Sequence, residues 1–131
     1  MSERPPALTA PLGRLARSFG YAFRGLGMML TTQANARIHA GATLLAIGSG
    51  FWFSISRAEW CVVVAVIGLV WTAEGVNTAL ETVVDLVSPE THPLAGRAKD
   101  VAAGAVLCAA LAALVIGVLI FGPRVWALIA G

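Results

Sequence analysis

The sequence predicts an all-α integral membrane protein with three transmembrane helices and an N-terminal amphipathic surface helix. Of its 131 residues, 58% are hydrophobic and only 12% are charged. The mean hydropathy is +0.82, so the composition is far from that of a soluble domain of this size. The apolar residues are concentrated in three long stretches. Each stretch approaches or exceeds the length of about 20 residues that a helix needs to cross a bilayer.

The surface helix is predicted at residues 11–32. Leucine and phenylalanine recur there at three- and four-residue steps while arginines occupy other positions, which is the pattern of an amphipathic helix. A basic helix of this kind can lie in the headgroup plane of a membrane; the alternative is a helix packed on a partner protein. Residues 1–10 contain two prolines and little to bury, so they are predicted to form a disordered tail. Residues 11–131 are predicted to form a single domain.

The three membrane spans are predicted at residues 38–55, 60–87 and 101–121. At ~1.5 Å per residue they are about 27, 42 and 32 Å long, against a hydrocarbon core of about 30 Å, so the second must protrude. Five arginines precede the first span, and Arg97 and Lys99 lie between the second and the third. The positive-inside rule therefore predicts a cytoplasmic N-terminus, a cytoplasmic second loop and an external C-terminus.

Four polar residues interrupt the second apolar stretch, namely Glu74, Asn77, Glu81 and Asp85. Their spacing places all four within roughly 80° on one helix face, in a stripe about 16 Å long. Counting from Trp60 at the outer boundary puts Glu74 about 21 Å inward, and Asp85 reaches cytoplasmic water. Ionisable groups at membrane depth are costly and mark functional sites. The stripe therefore predicts a site that handles a cation, a phosphate or a proton.

The stripe permits phosphoryl transfer from a metal nucleotide. A carboxylate at the depth of Glu74 is placed to act as general base toward an alcohol dissolved in the membrane. Glu81 and Asp85 offer hard oxygen ligands for magnesium, which commonly binds one or two carboxylates together with substrate phosphates. Lys99 and Asp100 precede the third span at the same interface. Either Lys99 supplies positive charge to phosphate, or the pair begins a helix with Asp100 as its cap or first-turn acid and Lys99 as an interfacial anchor.

Other motifs for metals or nucleotides are missing from the sequence. His39 and His92 are too few and too far apart in the sequence to indicate a zinc site. No glycine-rich nucleotide-binding loop of the Walker type occurs, so any ATP site must be built by another route.

Five segments together form a specific pattern. The two main segments are A-E-G-V-N-T-A-L-E-T-V-V-D at 73–85 and G-R-A-K-D-V-A-A-G-A-V at 96–106. Supporting segments are G-Y-A-F-R-G-L at 20–26, N-A-R-I-H at 35–39 and S-P-E-T-H-P at 88–93. Over residues 12–121 the chain resembles the prokaryotic diacylglycerol kinase family, which includes the undecaprenol kinases of Gram-positive bacteria. Segments 35–39 and 88–93 look more like the undecaprenol kinase branch.

The resemblance implies a homotrimeric helical bundle in the bacterial inner membrane, with active sites shared between neighbouring chains at the cytoplasmic interface. It implies ATP-dependent phosphorylation of a lipid hydroxyl group. Mg²⁺ is the implied cofactor, ATP and a lipid alcohol are the implied partners, and no nucleic acid is expected. Undecaprenol is the expected acceptor and diacylglycerol the alternative, since both are lipid alcohols and the groove that separates them is formed by helix packing.

The resemblance also implies roles for individual residues. Glu74 matches the general base of the family, and Asn77 matches the adjacent polar residue of the catalytic site. Glu81 matches a carboxylate that binds the metal nucleotide. Arg37 and Trp52, together with Glu74, correspond to positions near the lipid substrate. The implied ATP-binding residues are Arg14, Tyr21, Gln33, Glu81, Asp85, Glu90, Thr91, His92, Lys99 and Asp100.

One position departs from the family pattern. Gln33 stands where many members place a glutamate that binds the metal together with the residue matching Glu81. A glutamine carbonyl can ligate magnesium but brings no charge, so weaker metal affinity is expected. A membrane subunit that has lost catalysis is therefore one alternative. A small transporter that uses the carboxylates as a proton relay is another, but it leaves Lys99 and Asp100 without a role.

Overall fold

The computed structural model describes residues 10–131, and every regular element among them is an α-helix. The helices are α1 (Ala10–Thr32), α2 (Ala34–Trp52), α3 (Arg57–Val87) and α4 (Pro93–Ala130). The predicted all-α class is confirmed for these residues. The predicted disordered tail, residues 1–10, lies outside the described residues except for Ala10, with which α1 begins.

Helix α1 and Gln33 belong to the first of two compact units. Most of the large apolar side chains of α1 are exposed, including those of Leu12 and Phe23, whereas Met29 is buried. The guanidinium carbon of Arg24 lies 5.4 Å from the centre of the Tyr21 ring, which is within the range of a cation–π interaction. Its location on a membrane surface stays a prediction.

Helices α2, α3 and α4 belong to the second unit, residues 34–131. Side-chain pairs link α3 and α4 near both ends, so the two helices run antiparallel. Lys99 pairs with Asp85 next to the connection between the helices, and Arg124 pairs with Glu59 at the other end. Helix α2 also packs on α3, where the indole N–H of Trp71 donates to the Thr43 hydroxyl oxygen at 3.0 Å.

Helix α2 ends earlier than the predicted first span, 38–55, because the chain reverses direction after Trp52. The Ile55 amide donates to the Gly50 carbonyl at 3.1 Å, and the Ser54 amide donates to the Phe51 carbonyl at 3.2 Å. This pair of bonds is a Schellman motif, which requires a left-handed residue at its centre. Ser54 occupies that position with a φ of 49°.

Helix α3 begins at Arg57, before the predicted start at residue 60. The reason is a capping box at its N-terminus. The Glu59 amide donates to the Ser56 hydroxyl oxygen at 3.2 Å, and the Ser56 amide donates to the Glu59 carboxylate at 2.8 Å. Two amides that would otherwise lack partners are satisfied, so the helix extends into the polar connection.

Helix α4 is longer than the predicted third span, 101–121, at both ends. Its N-cap is His92, whose Nδ1 accepts a hydrogen bond from the Leu94 amide at 3.2 Å, and Pro93 follows at the first helical position. The alternative in which Asp100 caps this helix is therefore wrong, since Lys99 and Asp100 lie in its second turn. Hydropathy marks where a helix enters the bilayer, whereas caps determine where it begins.

Two helices in the described part of the chain are long and apolar enough to cross a membrane, α3 and α4. Helix α2 does not meet the same criterion, and it begins with the polar segment 34–39. The apolar helices α3 and α4 support the prediction of a membrane protein, while the predicted first span, 38–55, stays a prediction.

Candidate active site

The centre of the site is a buried polar pair on α3. Glu74 is 1% exposed and Asn77 is 6% exposed. Oε2 of Glu74 and Oδ1 of Asn77 have no hydrogen-bond partner. A buried carboxylate or amide oxygen without a partner is unfavourable, so these two atoms are candidates for contact with a ligand.

His39 on α2 faces the same place. Its Nε2 lies 3.9 Å from Oε2 of Glu74, which is too long for a hydrogen bond, and this nitrogen also has no partner. The hydroxyl oxygen of Thr78 is a further buried atom of this kind. Neither His39 nor Thr78 was expected from the sequence. The i, i+4 spacing from Glu74 could have indicated Thr78, but only the packing of α2 on α3 brings His39 to the site.

The polar stripe changes from buried to exposed along α3. The Asn77 amide donates to Oε1 of Glu81 at 3.2 Å, so these two side chains lie on one helix face as predicted from their spacing. Glu81 is half-buried, and the side chain of Asp85 is 67% exposed. The stripe thus joins a buried carboxylate to an open end of the helix.

An open pocket of about 530 Å³ lies where α3 ends and α4 begins. Five of the predicted ATP-binding residues line it, namely Asp85, Glu90, Thr91, His92 and Lys99. Lys99 Nζ donates to Oδ1 of Asp85 at 2.5 Å. The pocket therefore combines an ammonium group with carboxylate, hydroxyl and imidazole groups at the exposed end of the stripe.

The other five predicted ATP-binding residues are not among those that line this pocket. Glu81 is on α3 between this pocket and Glu74, and Asp100 is exposed on α4 without lining the pocket. Three belong to the first unit, namely Arg14, Tyr21 and Gln33. Gln33 follows the end of α1, where its amide donates to the Met29 carbonyl at 2.8 Å.

The predicted lipid contacts on α2 are far apart. Arg37 is in the first turn of α2, and Trp52 is its last residue and is 79% exposed. At ~1.5 Å per residue they are about 22 Å apart along the helix. Arg37 lies two residues from His39, so it is at the level of Glu74. Trp52 is far from that level, so a lipid whose hydroxyl group is at Glu74 would reach Trp52 only with its hydrocarbon chain.

The side chains present suit a metal that arrives with a nucleotide. Among residues 10–131, no group of three or more His, Cys, Asp or Glu side chains could hold a metal ion. Glu81 offers a half-buried carboxylate on the stripe. Magnesium is commonly held by one or two carboxylates together with substrate phosphates, so Glu81 fits such an ion without a cage made by the protein alone.

Comparison with known sequences decides the family. The sequence profile described as "Prokaryotic diacylglycerol kinase" matches residues 20–121. The chain belongs to this family. The match includes both main segments of the motif, at 73–85 and 96–106, and confirms the resemblance found from them.

Similar proteins include enzymes named for two lipid substrates. The "Undecaprenol kinase" of Bacillus subtilis (strain 168) is 41% identical over 113 residues, which are 86% of this chain and 92% of that protein. The "Diacylglycerol kinase" of Escherichia coli (strain K12) is 33% identical over 107 residues, 82% of this chain and 88% of that protein. The "Diacylglycerol kinase" of Synechocystis sp. is 43% identical over 101 residues, 76% of this chain and 58% of that protein. These relatives confirm the predicted enzyme class, a lipid kinase.

Proposed function

We propose that this chain transfers the γ-phosphoryl group of ATP to the hydroxyl group of a lipid alcohol in the bacterial inner membrane, with undecaprenol as the preferred acceptor. The observation that carries the proposal is the arrangement along α3. Glu74 is a buried carboxylate whose Oε2 has no hydrogen-bond partner. Asp85, farther along the same helix, lines an open pocket together with Lys99. The two positions are about 16 Å apart along the helix, so a nucleotide in the pocket can extend its phosphates toward Glu74.

Glu74 is the proposed general base. The lipid hydroxyl donates its proton to Oε2 of Glu74 as its oxygen forms a bond to the γ-phosphorus. The bond from the γ-phosphorus to the bridging oxygen breaks, ADP leaves, and the proton remains on the Glu74 carboxyl group. Lys99 places its positive charge beside the phosphates. Hydrogen bonds between ionised groups are stronger than those between neutral groups. Asn77 holds the Glu81 carboxylate through its amide.

Magnesium bound with ATP supplies charge neutralisation and orientation of the phosphates. Glu81 is its proposed carboxylate ligand, with the amide oxygen of Gln33 as a weaker one. Arg14 and Tyr21 of α1, with Glu90, Thr91, His92 and Asp100, complete the proposed ATP site. These assignments are supported by the family pattern and, for Glu90, Thr91 and His92, by their position in the lining of the pocket.

The proposed assembly is a homotrimer in which α2, α3 and α4 cross the membrane and neighbouring chains share active sites. The N-terminus is cytoplasmic and the C-terminus is outside. Large apolar side chains of all three helices are exposed in the single chain, including Leu45 on α2, Val64 on α3 and Leu114 on α4. Lipid and neighbouring chains together would cover them. A detergent-solubilised particle with three times the chain mass of 13.6 kDa is expected.

Undecaprenol is the proposed acceptor because the Bacillus subtilis undecaprenol kinase matches nearly over its full length, at 41% identity and 92% coverage. The segments 35–39 and 88–93 also resemble that branch. Diacylglycerol is the second candidate, favoured by the relatives from Escherichia coli and Synechocystis that carry its name. Arg37, Trp52 and Glu74 are the proposed lipid contacts in either case.

A substrate panel tests the proposal. Purified protein is given magnesium and ATP labelled at the γ-phosphate, with undecaprenol, shorter polyprenols, diacylglycerol or ceramide in mixed micelles. We expect the highest kcat/KM with undecaprenol. A higher value with diacylglycerol would establish the second candidate, and label transfer to none of these lipids would contradict the kinase function and favour a non-catalytic subunit.

A further inference from the structure

His39 is a partly buried polar residue at the site, with a buried Nε2, that the proposed mechanism does not use. Its side chain is 13% exposed, and that of Glu74 is 1% exposed. His39 Nε2 and Glu74 Oε2 lie 3.9 Å apart, and neither atom has a hydrogen-bond partner. Buried polar atoms normally form hydrogen bonds with the protein or with a bound group. A polar group bound between these two atoms would satisfy both.

The distance between these atoms suits one bridging oxygen. An oxygen about 2.8 Å from each of two atoms that are 3.9 Å apart subtends an angle of about 90° at that oxygen, which a hydroxyl group accommodates. A hydroxyl has one proton to donate and lone pairs that accept. It can therefore donate to Oε2 of Glu74 while accepting from Nε2–H of His39.

We propose that His39 binds the acceptor hydroxyl of the lipid and orients it, so that the hydroxyl proton points to Glu74 and a remaining lone pair points to the γ-phosphorus. This inference rests on the proposed function, because the hydroxyl is that of the lipid alcohol. His39 keeps its own proton throughout, and the proton released in the reaction goes to Glu74. Its contribution is to hold the attacking oxygen in a reactive geometry.

A neutral donor is sufficient for this role. If His39 instead acted only as an imidazolium that offsets the buried charge of Glu74, an uncharged replacement would not preserve function. Glutamine has no charge, but its amide nitrogen lies about as far from the backbone as Nε2 of histidine and donates hydrogen bonds. Asparagine is equally polar, but its shorter side chain does not reach the Nε2 position. His39→Gln therefore keeps a donor at the Nε2 position without the charge. His39→Asn keeps the polarity but not the donor position, and His39→Leu removes both.

Steady-state kinetics of the full-length variants in mixed micelles test the proposal, with undecaprenol and magnesium ATP varied in turn. His39→Leu is expected to lower kcat/KM for the lipid about tenfold, the usual scale for one hydrogen bond left unmade, while KM for ATP stays within about twofold. His39→Asn is expected to match His39→Leu. His39→Gln is expected to stay within about threefold of the parent chain.

Two controls separate this role from helix packing. Thr43→Val also removes a polar contact between α2 and α3, the hydrogen bond from Trp71, and is expected to leave kcat/KM for the lipid unchanged. In a Glu74→Gln background, His39→Leu is expected to cause a much smaller further loss of kcat/KM. The reason is that substitutions of two residues that act on the same hydroxyl group do not have additive effects.

The outcomes distinguish this inference from the proposed function. A parent chain that phosphorylates no lipid alcohol overturns both. An active parent chain with an equally active His39→Leu variant overturns the role of His39 alone. His39→Gln as impaired as His39→Asn also overturns it, and this comparison of two polar side chains still decides the matter if the leucine variant does not fold.

Discussion

Lys99 Nζ donates a hydrogen bond to Oδ1 of Asp85 at 2.5 Å, and this contact joins α3 to α4 beside the pocket. The two side chains are 37% and 67% exposed. An ion pair with this exposure contributes only about 0–1 kcal/mol to stability. The proposed role of the pair is therefore to hold an ammonium group where the phosphates of a nucleotide would lie.

Replacing Lys99 tests that role. Lys99→Met should lower kcat/KM for ATP by about 10- to 100-fold, the scale of a hydrogen bond to a charged group, with little change in thermal unfolding. Arg97→Met is a matched control, because Arg97 is an exposed cation of the same helix that does not line the pocket. Equal losses in both variants would indicate a general effect of positive charge.

Replacing Glu74 tests the general base. Glu74→Gln keeps the shape of the side chain but cannot accept the proton, so kcat should fall about 10²-fold or more while ATP affinity changes much less. Glu59→Gln makes the same chemical change near the other end of α3, where glutamine can still serve in the capping box. Its turnover should equal that of the parent chain. Turnover near the parent value in Glu74→Gln would remove Glu74 from the role of base.

Restoring a carboxylate at position 33 tests the metal site. Gln33→Glu should lower the magnesium concentration needed for half-maximal rate, because a charged oxygen ligand binds magnesium more tightly than an amide oxygen. The measurement is a magnesium titration at saturating ATP and lipid. An unchanged midpoint would show that residue 33 does not contact the metal.

Replacing Gly50 tests the packing of α2 on α3. A Cβ atom at Gly50 would lie 2.6 Å from the Trp60 ring, so Gly50→Ala should destabilise the protein by about 1–3 kcal/mol through overpacking. Thermal unfolding in detergent measures the change. Gly48→Ala is the control, since no side chain or neighbouring helix lies within 4 Å of its Cβ position. A stability of Gly50→Ala equal to that of Gly48→Ala would contradict this packing.

Reporter fusions test the topology. Alkaline phosphatase, which is active only outside the cytoplasm, should be active when fused after Gly131 and inactive when fused before Met1. The reason is the arginine excess ahead of α2, which keeps that end inside. Inactive enzyme at both ends would mean an even number of spans, consistent with α3 and α4 alone crossing the membrane.

The sequence by itself determined the helical class, the membrane character, the polar stripe and the family. These properties follow from hydropathy, helical periodicity and motif spacing, each of which is carried by one continuous segment. The alignment of Asn77 with Glu81 illustrates this, since a helix places residues four apart on one face.

Local caps, to which hydropathy is blind, decided where helices end, and tertiary structure decided which distant residues meet. Helix α4 begins at Pro93 because His92 caps it, and α2 ends at Trp52 because Ser54 takes a left-handed conformation. The approach of His39 to Glu74 depends on how two helices pack, and so does the pairing of Lys99 with Asp85. Hydropathy and spacing describe one segment at a time, so they predict that the carboxylate lies at membrane depth but do not predict which groups face it.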